Sequence, residues 1–290
     1  MKPDKPLFGV LLILLSGVVL SSQDGLSKYL STLYPVMLVV WMRYTVQLGL
    51  MVAIFAPKKG LNLVKTQRPW LQLARGASLV GLSLFFFSSL PYLPLGEATA
   101  VLFLAPLFVV IFSSLFLKEQ VKPLQWASVV MGLIGVILIV RPGGELFTPA
   151  ILLPLAAAAC FGVYQLITRR LSKTDSASTT NFLTALTGTV VTSAIVPFVW
   201  QTPESLDHWL SLAALGGFAM LGHLLLTHAY RHASAATLAP FTYGQIVFAT
   251  LVGLIAFGHT PDMWAIVGMA VIAASGLIMA VAYSRKKATA

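Results

Sequence analysis

With 58% of its 290 residues hydrophobic, only 10% charged and a mean hydropathy of +0.87, this chain has too little polar surface to coat a water-soluble globule. Its net charge of +10 is spread over short basic turns instead of being gathered on one face, which argues against nucleic-acid binding. The composition is that of an all-α polytopic membrane protein with lipid as its outer solvent.

A helix needs roughly 20 mostly apolar residues to cross the hydrocarbon core, and the chain offers about ten such runs. In order, they are Leu7–Leu33, Val36–Ala56, Leu71–Leu90, Leu95–Leu117, Leu124–Val140, Pro149–Thr168, Ser178–Val199, His208–Ala229, Thr237–Phe257 and Met263–Tyr283. None shows the strict alternation of a barrel strand. Threading them alternately puts all of the 19 Lys and Arg except Lys28, Arg43 and Arg141 in one set of turns, with Arg75 counted among the residues of the turn before the third span. Glu145, Glu204, Asp207 and Asp262 fall in the other set. The bias of Lys and Arg toward the cytoplasm then predicts a multi-pass protein of the inner (cytoplasmic) membrane with both termini cytoplasmic. The first run follows Lys2 and Lys5 like a signal peptide, but no small-residue cleavage site follows and the helix continues into Asp24, so it reads as a retained span. Cys160, alone in an apolar stretch, reads as a packing residue.

A fixed offset matches Tyr92 with Tyr230, Ala98 with Ala236, Thr99 with Thr237, Phe103 with Phe241, Pro123 with Pro261 and Trp126 with Trp264. The chain therefore reads as two five-helix repeats, residues 1–145 and 146–290. An odd number of spans makes the second repeat enter the membrane from the opposite face, and inverted repeats are the usual architecture of alternating-access transporters.

Several motifs carry a resemblance as well. Tyr92-Leu-Pro-Leu-Gly-Glu-Ala-Thr-Ala, Phe103-Leu-Ala-Pro-Leu107, Leu117-Lys-Glu119, Gly132-Leu-Ile-Gly-Val136 and Arg141-Pro142 in the first half are similar to EamA-type transporters of the drug/metabolite transporter superfamily. So are Ala239-Pro-Phe-Thr-Tyr243, Phe257-Gly258, Pro261-Asp262 and Ser275-Gly276 in the second. The resemblance covers nearly the whole chain and implies ten helices in two repeats around a central cavity. The chain departs from it at His259, where many relatives carry an acidic residue.

Charge within a bilayer is costly, which makes intramembrane ionisable groups the first functional candidates. Asp24 lies about nine residues from the outer end of the first span and Arg43 about seven from that of the second, depths of roughly 14 and 11 Å at the helical rise. A hairpin of these spans is expected to bring the two to one level, with Lys28 one turn above Asp24 on the same face or snorkelling to the outer interface. The group reads either as a solute-facing site or as a charge cluster pinning two helices. Arg43, with its planar fork, suits a carboxylate or phosphate.

Gln23, Tyr44, Gln47, Tyr164, Tyr243 and Gln245 join these three as expected substrate-binding residues, ahead of Trp41, Gln165 and Thr242. Asp24 and, after it, Glu97 are the candidates for a coupling proton, although Glu97 just behind Pro94 also suits the helix N-terminus. Pro106 and Pro240 are expected to bend spans four and nine. His223 and His228 lack metal-site spacing and read as packing residues. No metal, no cofactor and no catalytic residue is expected, and the oligomeric state is not legible.

The expected function is a secondary transporter moving a small organic metabolite, an amino acid or related solute for export, by alternating access and with proton coupling as an option. An uptake carrier for a vitamin, cofactor or nucleoside-type solute is the alternative. No P-loop and no soluble segment large enough for an ATPase domain is present. An intramembrane enzyme would need a catalytic constellation at matched depth, and a passive pore has no need of two inverted halves.

Overall fold

The structure is a computed structural model that describes residues 6–117, 123–141, 143–144, 147–171, 174–232, 238 and 241–288. Its helices are α1 (Pro6–Leu33), α2 (Val36–Lys59), α3 (Pro69–Ser89), α4 (Leu95–Leu102), α5 (Ala105–Leu117) and α6 (Pro123–Val140) in the first half. The second half holds α7 (Leu152–Leu171), α8 (Ala177–Ser193), α9 (Leu206–His232), α10 (Gly244–Phe257) and α11 (Met263–Ala288). Among the described residues, six segments are long and apolar enough to cross a membrane, and three shorter apolar helices lie within α6, α10 and α11.

The fourth span is two helices because Pro106 has no N–H for the carbonyl one turn earlier. The chain tightens instead: the Leu104 amide donates to the Val101 carbonyl at 3.0 Å and the Leu107 amide to the Leu104 carbonyl at 2.8 Å. The expected bend at Pro106 is thus a break at Phe103–Leu104. Pro240 lies outside the described residues, as does Glu119.

The seventh span is the polar one. In α8, Thr180, Thr184 and Thr192 each return their hydroxyl to the carbonyl four residues earlier, which satisfies those groups without water and lets a threonine-rich helix sit inside the bundle against α2 and α3.

Helix pairing is organised by exchange of the two halves. The principal contacts are α1 with α9, α3 with α7, α6 with α11, α2 with α8 and α9, α3 with α8, α1 with α10, and α4 and α5 with α7. Swapping the first five spans for the last five carries each of these pairs onto itself or onto another of the set, as a pseudo-twofold relation between repeats requires.

The closest approach is at the α6–α11 seam. A Cβ on Gly135 would fall 2.9 Å from the Gly268 carbonyl oxygen, and one on Gly268 would fall 2.6 Å from that of Gly135. Only glycine admits such backbone contact. Ser128 and Gly132 are buried on the α6 side of the seam, and Gly268, Ile272 and Ser275 make its α11 side.

The exterior is apolar. On α10, Val247, Leu251, Leu254 and Ile255 are exposed while Ile246, Ala249 and Gly253 are buried. Such a stripe at helical spacing needs lipid to cover it.

Candidate functional site

Two guanidinium groups lie inside the bundle. On α2 the buried face carries Arg43, Tyr44 and Gln47. On α3 it runs Gln72, Arg75–Gly76, Leu79–Val80, Ser83 and Phe86–Phe87, an inward stripe at helical period that includes its polar members.

Arg43 is 4% exposed and donates from Nη1 to Ser83 Oγ at 3.1 Å, its guanidinium 4.8 Å from the Tyr44 ring centre. The Ser83 hydroxyl spends its proton on the Leu79 carbonyl at 2.9 Å and so accepts from the Tyr44 hydroxyl at 3.0 Å. Arg43 Nε is buried without a partner.

Arg75 is held more fully. Its Nε donates to Thr168 Oγ1 at 2.7 Å, Nη1 to the Thr180 carbonyl at 3.0 Å and to Thr184 Oγ1, and Nη2 to the Tyr164 hydroxyl at 2.5 Å. The Tyr164 ring lies beneath it, 4.4 Å from centre to guanidinium. One side chain of the first half thereby binds two helices of the second. All these partners are neutral, and among the described residues neither arginine has a carboxylate within ion-pair distance. His223 of α9 stands within electrostatic reach of both arginines.

The expected Asp24/Lys28/Arg43 group is divided among three sets of partners. α1 and α2 touch little, both being laid against α9, so the hairpin does not join Asp24 to Arg43. Asp24 is buried and instead receives the Gln245 side-chain amide at 3.5 Å, within electrostatic reach of Arg43 but not paired with it. Lys28 does not snorkel outward: it donates to the Leu90 and Leu93 carbonyls, each at 2.6 Å, and lies 5.4 Å from the Phe257 ring centre. It thus caps the end of α3, where unpaired carbonyls favour a cation.

Glu97 occupies the first turn of α4 but makes no capping bond. Its Oε1 lies 3.0 Å from His259 Nε2, and its Oε2 is buried without a partner. Gln23 and Gln47 are buried, each with an unpartnered side-chain oxygen. Tyr243 packs against Phe103, ring centres 5.4 Å apart, and against Gly276. Among the described residues, no three His, Cys, Asp or Glu side chains converge as metal ligands.

At the membrane edge, Asp175 accepts from Thr66 Oγ1 at 2.5 Å, Gln72 Nε2 at 2.6 Å and the Gln67 amide at 3.4 Å. Burial alone would raise its carboxyl, and these donors outweigh it, holding the group below the usual range.

The chain that builds this arrangement matches known carriers in sequence. The profile of the EamA-like transporter family fits residues 7–141 and again 148–281. This chain belongs to the EamA-like transporter family. An S-adenosylmethionine uptake transporter of Rickettsia conorii is 30% identical over 282 residues, covering 97% of this chain and 95% of that one. A riboflavin transporter of Vibrio cholerae is 28% identical, covering 93% and 92%. A pseudopaline exporter of Pseudomonas aeruginosa is 28% identical, covering 96% of each. A solved crystal structure superposes with a TM-score of 0.64 at 20% identity over 98% of this chain and 99% of that one, which supports the fold.

Within this EamA chain, sequence reasoning missed Arg75 as an interior residue and His259 as the partner of Glu97. Arg75 was grouped with the cytoplasmic turn, although its spacing from Gln72, Leu79 and Ser83 marks it as part of the inward face of α3. His259 was noted only as a departure from relatives. His223, expected as a packing residue, comes within electrostatic reach of both arginines through helices far apart in the chain.

Proposed function

We propose that this EamA transporter is a secondary carrier of a small organic solute bearing a carboxylate. Alternating access between its two repeats would move the solute across the cytoplasmic membrane, with both termini cytoplasmic. The observation that carries this reading is the presence of two buried guanidinium groups, Arg43 and Arg75, with neutral hydrogen-bond partners and no carboxylate within ion-pair distance among the described residues. A buried cation is stabilised when an anion is supplied; here the solute supplies it. Arg43, which has an unpartnered Nε, binds the carboxylate, and Tyr44, Gln23 and Gln47 contribute apolar surface and amide groups. Arg75 with Tyr164 closes the site toward α7 and α8.

S-adenosylmethionine, the solute named for the Rickettsia relative, carries an amino-acid carboxylate, and uptake is the direction named for that protein. This favours the uptake alternative for the present chain. Export remains the second reading, supported by the Pseudomonas relative.

Counterflow of S-adenosylmethionine in proteoliposomes tests the proposal, with a panel of amino acids and riboflavin beside it. Arg43→Ala is expected to weaken the solute's apparent affinity roughly 10- to 100-fold, the loss of a charge-assisted bidentate contact, while the protein still extracts as a folded species. Unchanged kinetics would remove Arg43 from the site.

A further inference from the structure

The orphaned oxygen of Glu97 is the feature that the carrier reading leaves unused. The Glu97 side chain is 3% exposed and that of His259 is 39% exposed, and the two meet at 3.0 Å. One member is sealed in the bundle and the other reaches the surface. They also belong to different repeats: Glu97 opens α4, and His259 follows Gly258, whose left-handed φ of +67° ends α10.

We propose that Glu97 and His259 form a proton-exchange couple, with Glu97 as the intramembrane proton site and His259 as its link to water. A buried carboxylate with an unpartnered oxygen is costly, and adding a proton lowers that cost. An imidazole has the chemistry to supply one, since it gains and loses a proton near neutral pH and has two ring nitrogens. In the neutral ring, Nε2–H donates to Glu97 Oε1. A proton from hydronium bonds to Nδ1, leaving water; the Nε2–H bond then breaks and an O–H bond forms on Oε1. The outcome is one proton gained by Glu97 and a neutral His259 in the other tautomer, and the reverse sequence releases it.

His259, from the loop after α10, contacts Glu97, and Lys28, from α1, lies within its electrostatic reach. The Lys28 ammonium favours the carboxylate and is itself held by the Leu90 and Leu93 carbonyls, so it stays in place when Glu97 takes up a proton. Among the described residues, the side-chain partner of Asp24 is the Gln245 amide, which carries no exchangeable charge, and no exposed titratable side chain is bonded to it. The couple therefore replaces Asp24 as the proton site, and it rests on the carrier reading only for its consequence in transport.

The test has a solute-free arm and a transport arm, both on the reconstituted full-length protein. Infrared difference spectra across a pH step should contain a carboxylic-acid band that Glu97→Gln removes and Asp24→Asn retains. The rate of proton uptake should fall at least about tenfold in His259→Gln, which keeps a hydrogen-bond donor but cannot relay a proton, and free imidazole should restore it in His259→Ala. A band unchanged in Glu97→Gln, or an uptake rate unchanged in His259→Gln, overturns the proposal whether or not any solute is carried. In the transport arm, S-adenosylmethionine is the probe. His259→Gln should lose uphill movement driven by a pH gradient and keep counterflow at equal pH. Equal loss of both assigns the pair to structure and overturns the couple. Absence of wild-type counterflow for this probe counts against the carrier reading for that solute, and the infrared arm still decides the proton site.

Discussion

Two seams of the bundle are related by the exchange of repeats, and they are built from different chemistry. Where α3 meets α7, Arg75 makes four hydrogen bonds to neutral groups of α7 and α8. The counterpart seam joins α9 to α1. There the Tyr34 hydroxyl meets His208 Nδ1 at 2.6 Å and accepts from the Glu204 amide at 3.2 Å, while farther along Gly222 admits Leu20 and Ser16 donates to the Gly222 carbonyl at 2.9 Å. Duplication fixed which helices touch and left the side chains free to diverge. In the proposed orientation, one seam is knotted at its cytoplasmic end by a buried cation and the other is latched at its outer end by the Tyr34–His208 hydrogen bond. Opening the first exposes more orphaned polar groups than opening the second, so the two closures are unequal.

Removing the knot is the most direct way to break this comparison. Arg75→Ala leaves the Tyr164, Thr168 and Thr184 hydroxyls without the donor they accept from, while the Thr180 carbonyl keeps that of Thr184. The expected loss is about 3 kcal/mol or more, from hydrogen bonds to a charged group, read as a lower unfolding midpoint in detergent with transport lost. Arg75→Lys keeps the charge but cannot span Thr168, Tyr164 and Thr184 together, so it should recover only part of the midpoint. A midpoint unchanged in Arg75→Ala would mean that the knot contributes nothing and the seams are energetically alike.

The latch gives a smaller effect. Tyr34→Phe removes one hydroxyl shared by His208 and the Glu204 amide, and about 1 kcal/mol is expected. If the comparison is right, Tyr34→Phe speeds opening at that end, measured as faster labelling of a cysteine placed at Ser31, with little effect on the same assay at the Arg75 end. A loss equal to that of Arg75→Ala would erase the asymmetry.

How much of this was legible follows from the range of each interaction. Span order and the repeats are local or periodic properties, and Pro106 within Leu95–Leu117 announced a bend, which the structure makes a break at Phe103–Leu104. Depth along a single helix was also legible, and it placed Asp24, Arg43 and Tyr44 in the interior. Side-chain partners were not, because they depend on which non-adjacent helices meet. Adjacency in sequence suggested an Asp24–Arg43 level in a hairpin, yet the duplicated packing sets α1 and α2 against α9, and Asp24 turns to Gln245. Arg75 was missed for a different reason: at a span entrance, a basic residue is ordinarily a topology signal, and only the buried period of α3 distinguishes it.

The α6–α11 seam, which the exchange maps onto itself, supplies the weakest perturbation. Its end is closed by an Arg141–Asp262 ion pair whose side chains are 41% and 49% exposed. The Ala265 amide and then Arg141 hold the Asp262 carboxyl below the usual range. A carboxyl depressed in the folded state contributes stability above its unfolded pKa and loses it as pH falls through the folded value, so this pair is intact at neutral pH and fails only in acid. Arg141→Gln should cost no more than about 1 kcal/mol at neutral pH, less in high salt, because the Gly135–Gly268 contact and not the exposed charges holds the two helices. A larger loss that persists in high salt would show that the seam depends on its ion pair.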